Sequence, residues 1–131
     1  MSVEFFVSIP PTVNNYYVKT RNGVFISKAG KAFREKAAED IIQQVGGVHL
    51  TGHFHVEIIM FFNDRRRRDL DNYLKALLDA ITHSSLWSDD CLVDQLVIMR
   101  GRTDSPKRES YVRVEIGPAG PILTESFTKG I

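Results

Sequence analysis

Cysteine is almost missing from this sequence. Cys91 stands alone among 131 residues, so no disulfide can form within the chain and a cysteine-rich zinc site is excluded. That count is compatible with a reducing compartment. Long apolar runs are missing too. The longest, Val56 to Phe62, contains Glu57 and is far too short to span a bilayer. Residues 1–11 have no basic segment and carry Glu4. A secretory signal is therefore not expected, and the anticipated setting is the cytoplasm, away from membranes. An excess of charge of either sign is also missing, since 17 Lys and Arg against 16 Asp and Glu leave a net +1. Taken alone, that balance argues against a nucleic-acid binder, because such domains are usually basic. An average is silent, however, about where the charges sit. There is no glycine-rich P-loop, no Gly-x-Ser-x-Gly elbow and no His-Glu-x-x-His helix. With 43% hydrophobic and 25% charged residues, what is left is the composition of one ordinary globular domain.

Hydrophobic spacing divides the chain into elements. Val3, Phe5, Val7 and Ile9 recur at period two, the pattern of a half-buried strand, and Pro10-Pro11 ends it. Tyr16 to Lys19 and Val24 to Ile26 flank Asn22-Gly23, which predicts a hairpin. Ser27 is a candidate helix cap, Phe33, Ala37, Ile41 and Val45 form the apolar stripe of the helix, and Gly46-Gly47 stops it. Residues 54–62 predict a central strand, with Ile58, Met60 and Phe62 on one face and Ile59 and Phe61 on the other. A second helix is predicted over about 70–83, burying Leu70, Leu74, Leu77, Leu78 and Ile81. Leu92 to Met99 and Tyr111 to Ile116 read as two further strands, joined as a hairpin by the polar segment from Gly101 to Glu109. In the last strand Val112, Val114 and Ile116 face inward. Residues 118–131 lack periodicity and are expected to form a flexible C-terminal tail. The fold class expected is α+β, a mixed and mostly antiparallel sheet with two main helices.

The chemistry concentrates where the central strand meets the second helix, in Asp64-Arg65-Arg66-Arg67-Arg68-Asp69-Leu70-Asp71-Asn72-Tyr73-Leu74-Lys75. Four adjacent arginines repel one another, and their planar forks suit phosphate oxygens. The plain reading of such a run is a solvated face. Asp69 and Asp71 are two residues apart, which on a regular helix turns them about 200° from one another. They converge only if the backbone is extended there or if one sits at the cap. Asp69 near the N-cap and Asp71 in the first turn meet that condition, although aspartate at a helix start is also an ordinary cap. Lys75 has Asp71 and Asp79 as candidate i,i+4 partners, or serves as a cation beside a reacting phosphate. Trp87-Ser88-Asp89-Asp90 precedes the next strand and can bring one more carboxylate to the same pole. Three carboxylates together call for a cation, and oxygen-only ligands select Mg²⁺ or Mn²⁺ over zinc. Such a metal among arginines describes a phosphodiesterase site. His53 and His55 share a strand face without an evident partner and read as a strand edge. Cys91 is expected in the core, and Trp87 is expected to plug the gap between helix and strand.

These residues resemble a known family. Asp64-Arg-Arg-Arg-Arg-Asp-Leu-Asp-Asn, Lys75 and Trp87-x-Asp89-Asp90 look like the RusA family of Holliday junction resolvases. So do Pro11-x-x-Asn14-Asn15-x-Tyr17 near the N-terminus and Ser27-x-x-Gly30-x-x-Phe33-Arg34, where the family often has Tyr for Phe33. The resemblance covers about residues 2–117, is most specific from 64 to 90, and finds no counterpart for the tail. It implies a nuclease domain over 1–117, a RusA-like homodimer, and a magnesium-dependent endodeoxyribonuclease that cuts four-way junction DNA with paired nicks in recombination and repair. Manganese would be a substitute metal. By motif position Asp69, Asp71 and Asp90 match the catalytic, metal-binding carboxylates and Lys75 the essential lysine, with Asp89 adjacent. Arg65, Arg66, Arg67, Arg68 and Lys75 are the expected DNA contacts. A dimer follows also from symmetry, because a junction needs two related nicks and the chain has one carboxylate cluster. The alternatives are a non-catalytic branched-DNA-binding module, a metal nuclease for other branched nucleic acids, and a small α+β assembly domain without a nucleic-acid role.

Overall fold

The computed structural model describes residues 2–126. The elements are β1 (Val3–Ser8), a single helical turn α1 (Val13–Tyr16), β2 (Tyr17–Thr20), β3 (Gly23–Ile26), α2 (Lys28–Val45), β4 (Phe54–Phe62), α3 (Leu74–His83), β5 (Val93–Arg102) and β6 (Tyr111–Pro118). Two short 3-10 turns, Leu70–Tyr73 and Asp90–Leu92, precede α3 and β5. The main sheet runs β1-β6-β4-β5, and β2 and β3 form a separate hairpin. β6 is antiparallel to both β1 and β4, while β5 is parallel to β4. The expected α+β class with a mostly antiparallel sheet is what the chain adopts.

Side-chain alternation explains the core. Phe54, Val56, Ile58, Met60 and Phe62 of β4 are all buried, as are Val112, Val114 and Ile116 of β6. They join Ala37 and Ile41 of α2 and Leu77, Ala80 and Ile81 of α3 in one cluster. Each large side chain buried there contributes about 1.5–3 kcal/mol. Along α2, Ser27 accepts a hydrogen bond from Gly30 N as the N-cap, and Gly46 ends the helix at φ 78°, where a side chain would be strained. On the opposite sheet face Phe61 stacks on Tyr111 with ring centres 4.8 Å apart. The edge strand β1 is blocked by Gln44 of α2, whose amide accepts from Phe6 N at 2.8 Å and donates to Phe6 O at 2.6 Å.

Three expectations change. The hairpin between the last two strands does not form, because β4 lies between β5 and β6. The two strands beside β4 are instead linked by the polar segment 103–110 passing over its end, a gap of about 10 Å across two strand spacings. Parallel pairing of β4 with β5 needs a crossover connection, and α3 supplies it. Tyr16 does not begin the hairpin but closes α1, where Asn15 N and Tyr16 N donate to Thr12 O at 2.9 and 2.8 Å. A single turn is too short to leave a periodic signal. The second helix begins as the 3-10 turn Leu70–Tyr73 before becoming α-helical at Leu74.

At the other end, Ala119 N donates to His53 O at 3.0 Å and Gly120 N to Gln95 Oε1 at 3.2 Å. Residues 127–131 of the expected tail lie outside the described residues.

Candidate active site

The parallel strands β4 and β5 end side by side, with Phe62 opposite Arg102. The arginine-rich loop leaves β4 at this edge and is tied down by its own first acid. Asp64 grips Arg68 with both oxygens, at 2.5 and 3.0 Å, and accepts from Arg66 N at 3.1 Å. The Arg68 guanidinium holds the Asp64 carboxyl down at about 2. The same guanidinium lies 4.5 Å from the centre of the Phe62 ring. From β5, Arg100 donates to Arg68 O and Arg102 to Asp64 O. Arg68 is thus partly buried and internally partnered, while Arg65, Arg66 and Arg67 are exposed.

Asp69 sits in extended backbone, φ −90° and ψ 118°, at the N-cap of the 3-10 turn, and Asp71 falls in its first turn. This is the placement the two-residue spacing required. The Asp69 side chain makes no capping hydrogen bond. Neither carboxylate enters an ion pair among the described residues. Asp69 and Asn72 line a shallow cleft with Thr12, Arg67, Arg68 and Tyr73.

Lys75 projects from the first turn of α3, and its ammonium lies 3.3 Å from Asp79 Oδ1. The other Asp79 oxygen accepts from Tyr16 Oη at 3.0 Å. Attraction to Asp79 raises the Lys75 pKa, with smaller contributions from Tyr17 and Asp90. Tyr16 is fully buried, and that burial, with Asp79 beside it, pushes its hydroxyl well up.

The segment leading into β5 is held by packing. Trp87 is 1% exposed, stacks on Phe54 at 5.5 Å and donates Nε1 to Thr82 Oγ1 at 2.7 Å. It is the expected plug between helix and sheet. Asp89 caps the following 3-10 turn by accepting from Cys91 N at 3.0 Å, which holds its carboxyl below the ordinary value. Asp90 is half-buried. Burial lifts its carboxyl above the ordinary value, Asp89 adds to the lift, and the Lys75 ammonium opposes it. Cys91 is exposed, contrary to the core position expected for it, because the turn points it outward ahead of the strand.

Among the described residues, no three His, Cys, Asp or Glu side chains stand close enough to form a ready metal cage. The donor chemistry of Asp69, Asp71 and Asp90 nevertheless suits a hard cation. Asp90 in particular is a half-buried carboxyl that directly follows another, Asp89, an arrangement that a bound cation would stabilise. His53 pairs with Asp94 at 3.1 Å and His55 with Gln95 at 3.2 Å. Contrary to expectation, His53 thus has a carboxylate partner and His55 lies on an internal strand, because β5 packs alongside β4 and brings both partners there. Tyr16 has no visible signal of a site role in the sequence beyond its place inside the Pro11–Tyr17 motif. Asp79 shows only its i,i+4 spacing from Lys75.

Comparison with known proteins adds an independent line. Residues 8–116 match the family model described as Endodeoxyribonuclease RusA. The chain is 32% identical over 98 residues to the crossover junction endodeoxyribonuclease rusA of Enterobacteria phage HK97, covering 75% of this chain and 82% of that protein. Over 90 residues it is 38% identical to the crossover junction endodeoxyribonuclease RusA of Escherichia coli strain K12, covering 68% of this chain and 75% of that protein. With the enzyme of the same name from Enterobacteria phage 82 the identity is 39% over 90 residues, with the same coverage.

Proposed function

Because the chain belongs to the RusA family of endodeoxyribonucleases, we propose that it is a Holliday junction resolvase that cuts four-way junction DNA. The observation that carries this reading is how the aspartates around α3 divide. Asp64, Asp79 and Asp89 are engaged by Arg68, by Lys75 with Tyr16, and by Cys91 N. Asp69 does not cap, Asp71 is exposed, and Asp90 is half-buried. None of these three enters an ion pair with a basic side chain among the described residues.

On this reading Asp69, Asp71 and Asp90 hold a magnesium ion, with manganese as a substitute. When bound, such an ion would supply Lewis-acid polarisation of the scissile phosphate and a lowered pKa for an attacking water. Arg65, Arg66 and Arg67 bind backbone phosphates without reading bases, and Arg68 contributes charge while bracing the loop. Lys75 faces the reacting phosphate and offsets negative charge as it develops. Two related nicks require two such sites, so the working unit is a homodimer.

The relatives come from enterobacterial phages and Escherichia coli, and no helix among the described residues is long and apolar enough to cross a membrane. The proposed setting is the cytoplasm of a bacterial cell, host- or phage-encoded, in recombination and repair.

The test is a labelled four-way junction incubated with the protein with and without Mg²⁺, with Asp71→Asn as control. Paired nicks at symmetric positions, lost with chelator and in the variant, are the expected result. Salt-dependent binding with no nicks in Mg²⁺ or Mn²⁺ would leave only a branched-DNA-binding module. Faster cutting of flaps or other branched substrates would redirect the specificity.

A further inference from the structure

Two motifs of the N-terminal third stand far in sequence from the aspartates. Pro11–Tyr17 and Ser27–Arg34 contain neither a carboxylate nor an arginine run. In the fold they interlock. Ser27 N donates to Tyr16 O at 2.8 Å, Ser27 Oγ donates to Asn15 O at 2.6 Å, and Gly30 N donates to Ser27 Oγ at 2.9 Å. The first turn of α2 lies directly on Tyr16. A Cβ at Gly30 would stand 2.7 Å from Tyr16 O and 2.9 Å from its ring, so any larger residue would displace that tyrosine. What leaves this junction toward α3 is the Tyr16 hydroxyl, 3.0 Å from Asp79 Oδ2.

We propose that Asp79 is a positioning residue for Lys75, and that the interlocked N-terminal motifs act through Tyr16 to hold Asp79 in place. The proposal rests on the nuclease reading, in which Lys75 faces the reacting phosphate. A lysine on an exposed helix face has a long flexible stem, and an i,i+4 pair by itself restrains it weakly. Lys75 keeps about half of its side-chain surface exposed, at 48%. Asp79 differs from an ordinary surface partner because its second oxygen is fixed by a donor whose ring belongs to the core. Among the described residues the Lys75 ammonium pairs with Asp79 and with no other carboxylate, so the place Asp79 takes sets where that ammonium stands.

The experiment compares the parent chain with Asp79→Asn, Asp79→Glu and Tyr16→Phe. Single-turnover cleavage of a four-way junction is measured at saturating protein and Mg²⁺, and junction Kd in chelator. Asp79→Asn should cut about tenfold more slowly and Tyr16→Phe about threefold, with Kd within about twofold of the parent and Asp79→Glu recovering part of the rate. In the metal-free, DNA-free protein, NMR relaxation at Lys75 Cε should report greater side-chain mobility in Asp79→Asn and Tyr16→Phe. Parent-like rates in both variants would overturn the proposal. So would rate losses that follow a parallel loss of melting temperature and DNA affinity, since a purely structural role predicts that. If Asp79→Asn fails to fold, Tyr16→Phe, which removes one hydroxyl, carries the test. A parent chain that does not cut junctions would defeat the nuclease reading, whereas unchanged Lys75 mobility would defeat the brace on its own.

Discussion

The two segments that flank α3 have similar acid content and opposite physics. The one leaving β4 is held by charge: Asp64 clamps Arg68, and Arg100 and Arg102 donate to its backbone carbonyls. The one entering β5 is held by packing, with Leu86 and Trp87 almost wholly buried and Asp89 capping a turn. The charge-held segment keeps Arg65, Arg66, Arg67, Asp69 and Asp71 in water, where they remain open to a polyanion or a cation. The packed segment fixes one half-buried carboxyl, Asp90, directly after the capping Asp89. A run of like charge therefore folds without a core of its own when one acid and two neighbouring arginines organise its backbone. A precisely placed carboxyl, in contrast, needs an apolar anchor.

That contrast predicts how each segment should fail. The largest effect is expected at the proposed metal ligands. Asp69→Asn, Asp71→Asn and Asp90→Asn should each lower junction cleavage at least about a thousandfold, about 4 kcal/mol of transition-state stabilisation. Binding in a gel-shift assay should persist or tighten, because a charge that repels phosphate is gone. Full activity in Asp90→Asn alone would make the packed segment a scaffold and nothing more. Next, Trp87→Ala should destabilise the fold by about 3 kcal/mol in chemical denaturation, whereas Arg67→Ala should stay within about 0.5 kcal/mol. Equal losses at both positions would dissolve the contrast.

A smaller effect separates the arginines from one another. Replacing Arg65, Arg66 and Arg67 by alanine should flatten the log–log salt dependence of DNA affinity by roughly 0.9 for each phosphate that is no longer neutralised. Arg68→Ala should lower the melting temperature instead, because its partner is Asp64. The smallest effect is a pH dependence. The Asp64 carboxyl is held at about 2 in the fold against an ordinary value of 3.8. Its lowered value means that its contribution to stability is complete above the ordinary value and is lost as pH falls through about 2. The difference in melting temperature between the parent and Asp64→Asn should be constant from neutral pH down to about 5, narrow below 4, and close near 2. A gap that persists at the acid end would show that the Asp64 side chain acts by shape.

Much of the fold was legible along the chain because β4, β6, α2 and α3 bury side chains at fixed periods. Val112, Val114 and Ile116 alternate as their burial does, and Ser27 and Gly46 mark both ends of α2. The site was legible in part for a different reason. Arginines next to aspartates have no comparable role in a core, and the junction of a predicted strand with a predicted helix is what put Asp69 at the N-cap position and Asp71 in the first turn. Elsewhere local pattern was insufficient. Cys91 is apolar by type, yet one turn carries it outward. Arg68 looks identical to its three neighbours until Asp64 and Phe62 enclose it.

By itself, the sequence determined the types of the longer elements, the α+β class, the inward faces of β4 and β6, and the concentration of arginines and aspartates around the start of α3. Periodicity and composition are local properties, and each of these features depends on neighbours within a few residues. The tertiary structure alone decided that β4 separates β5 from β6, that Asp89 caps while Asp90 does not, and that Tyr16 reaches Asp79 across 63 residues. Strand order and contacts across the fold depend on which surfaces meet when the chain packs, and no spacing along one segment records that.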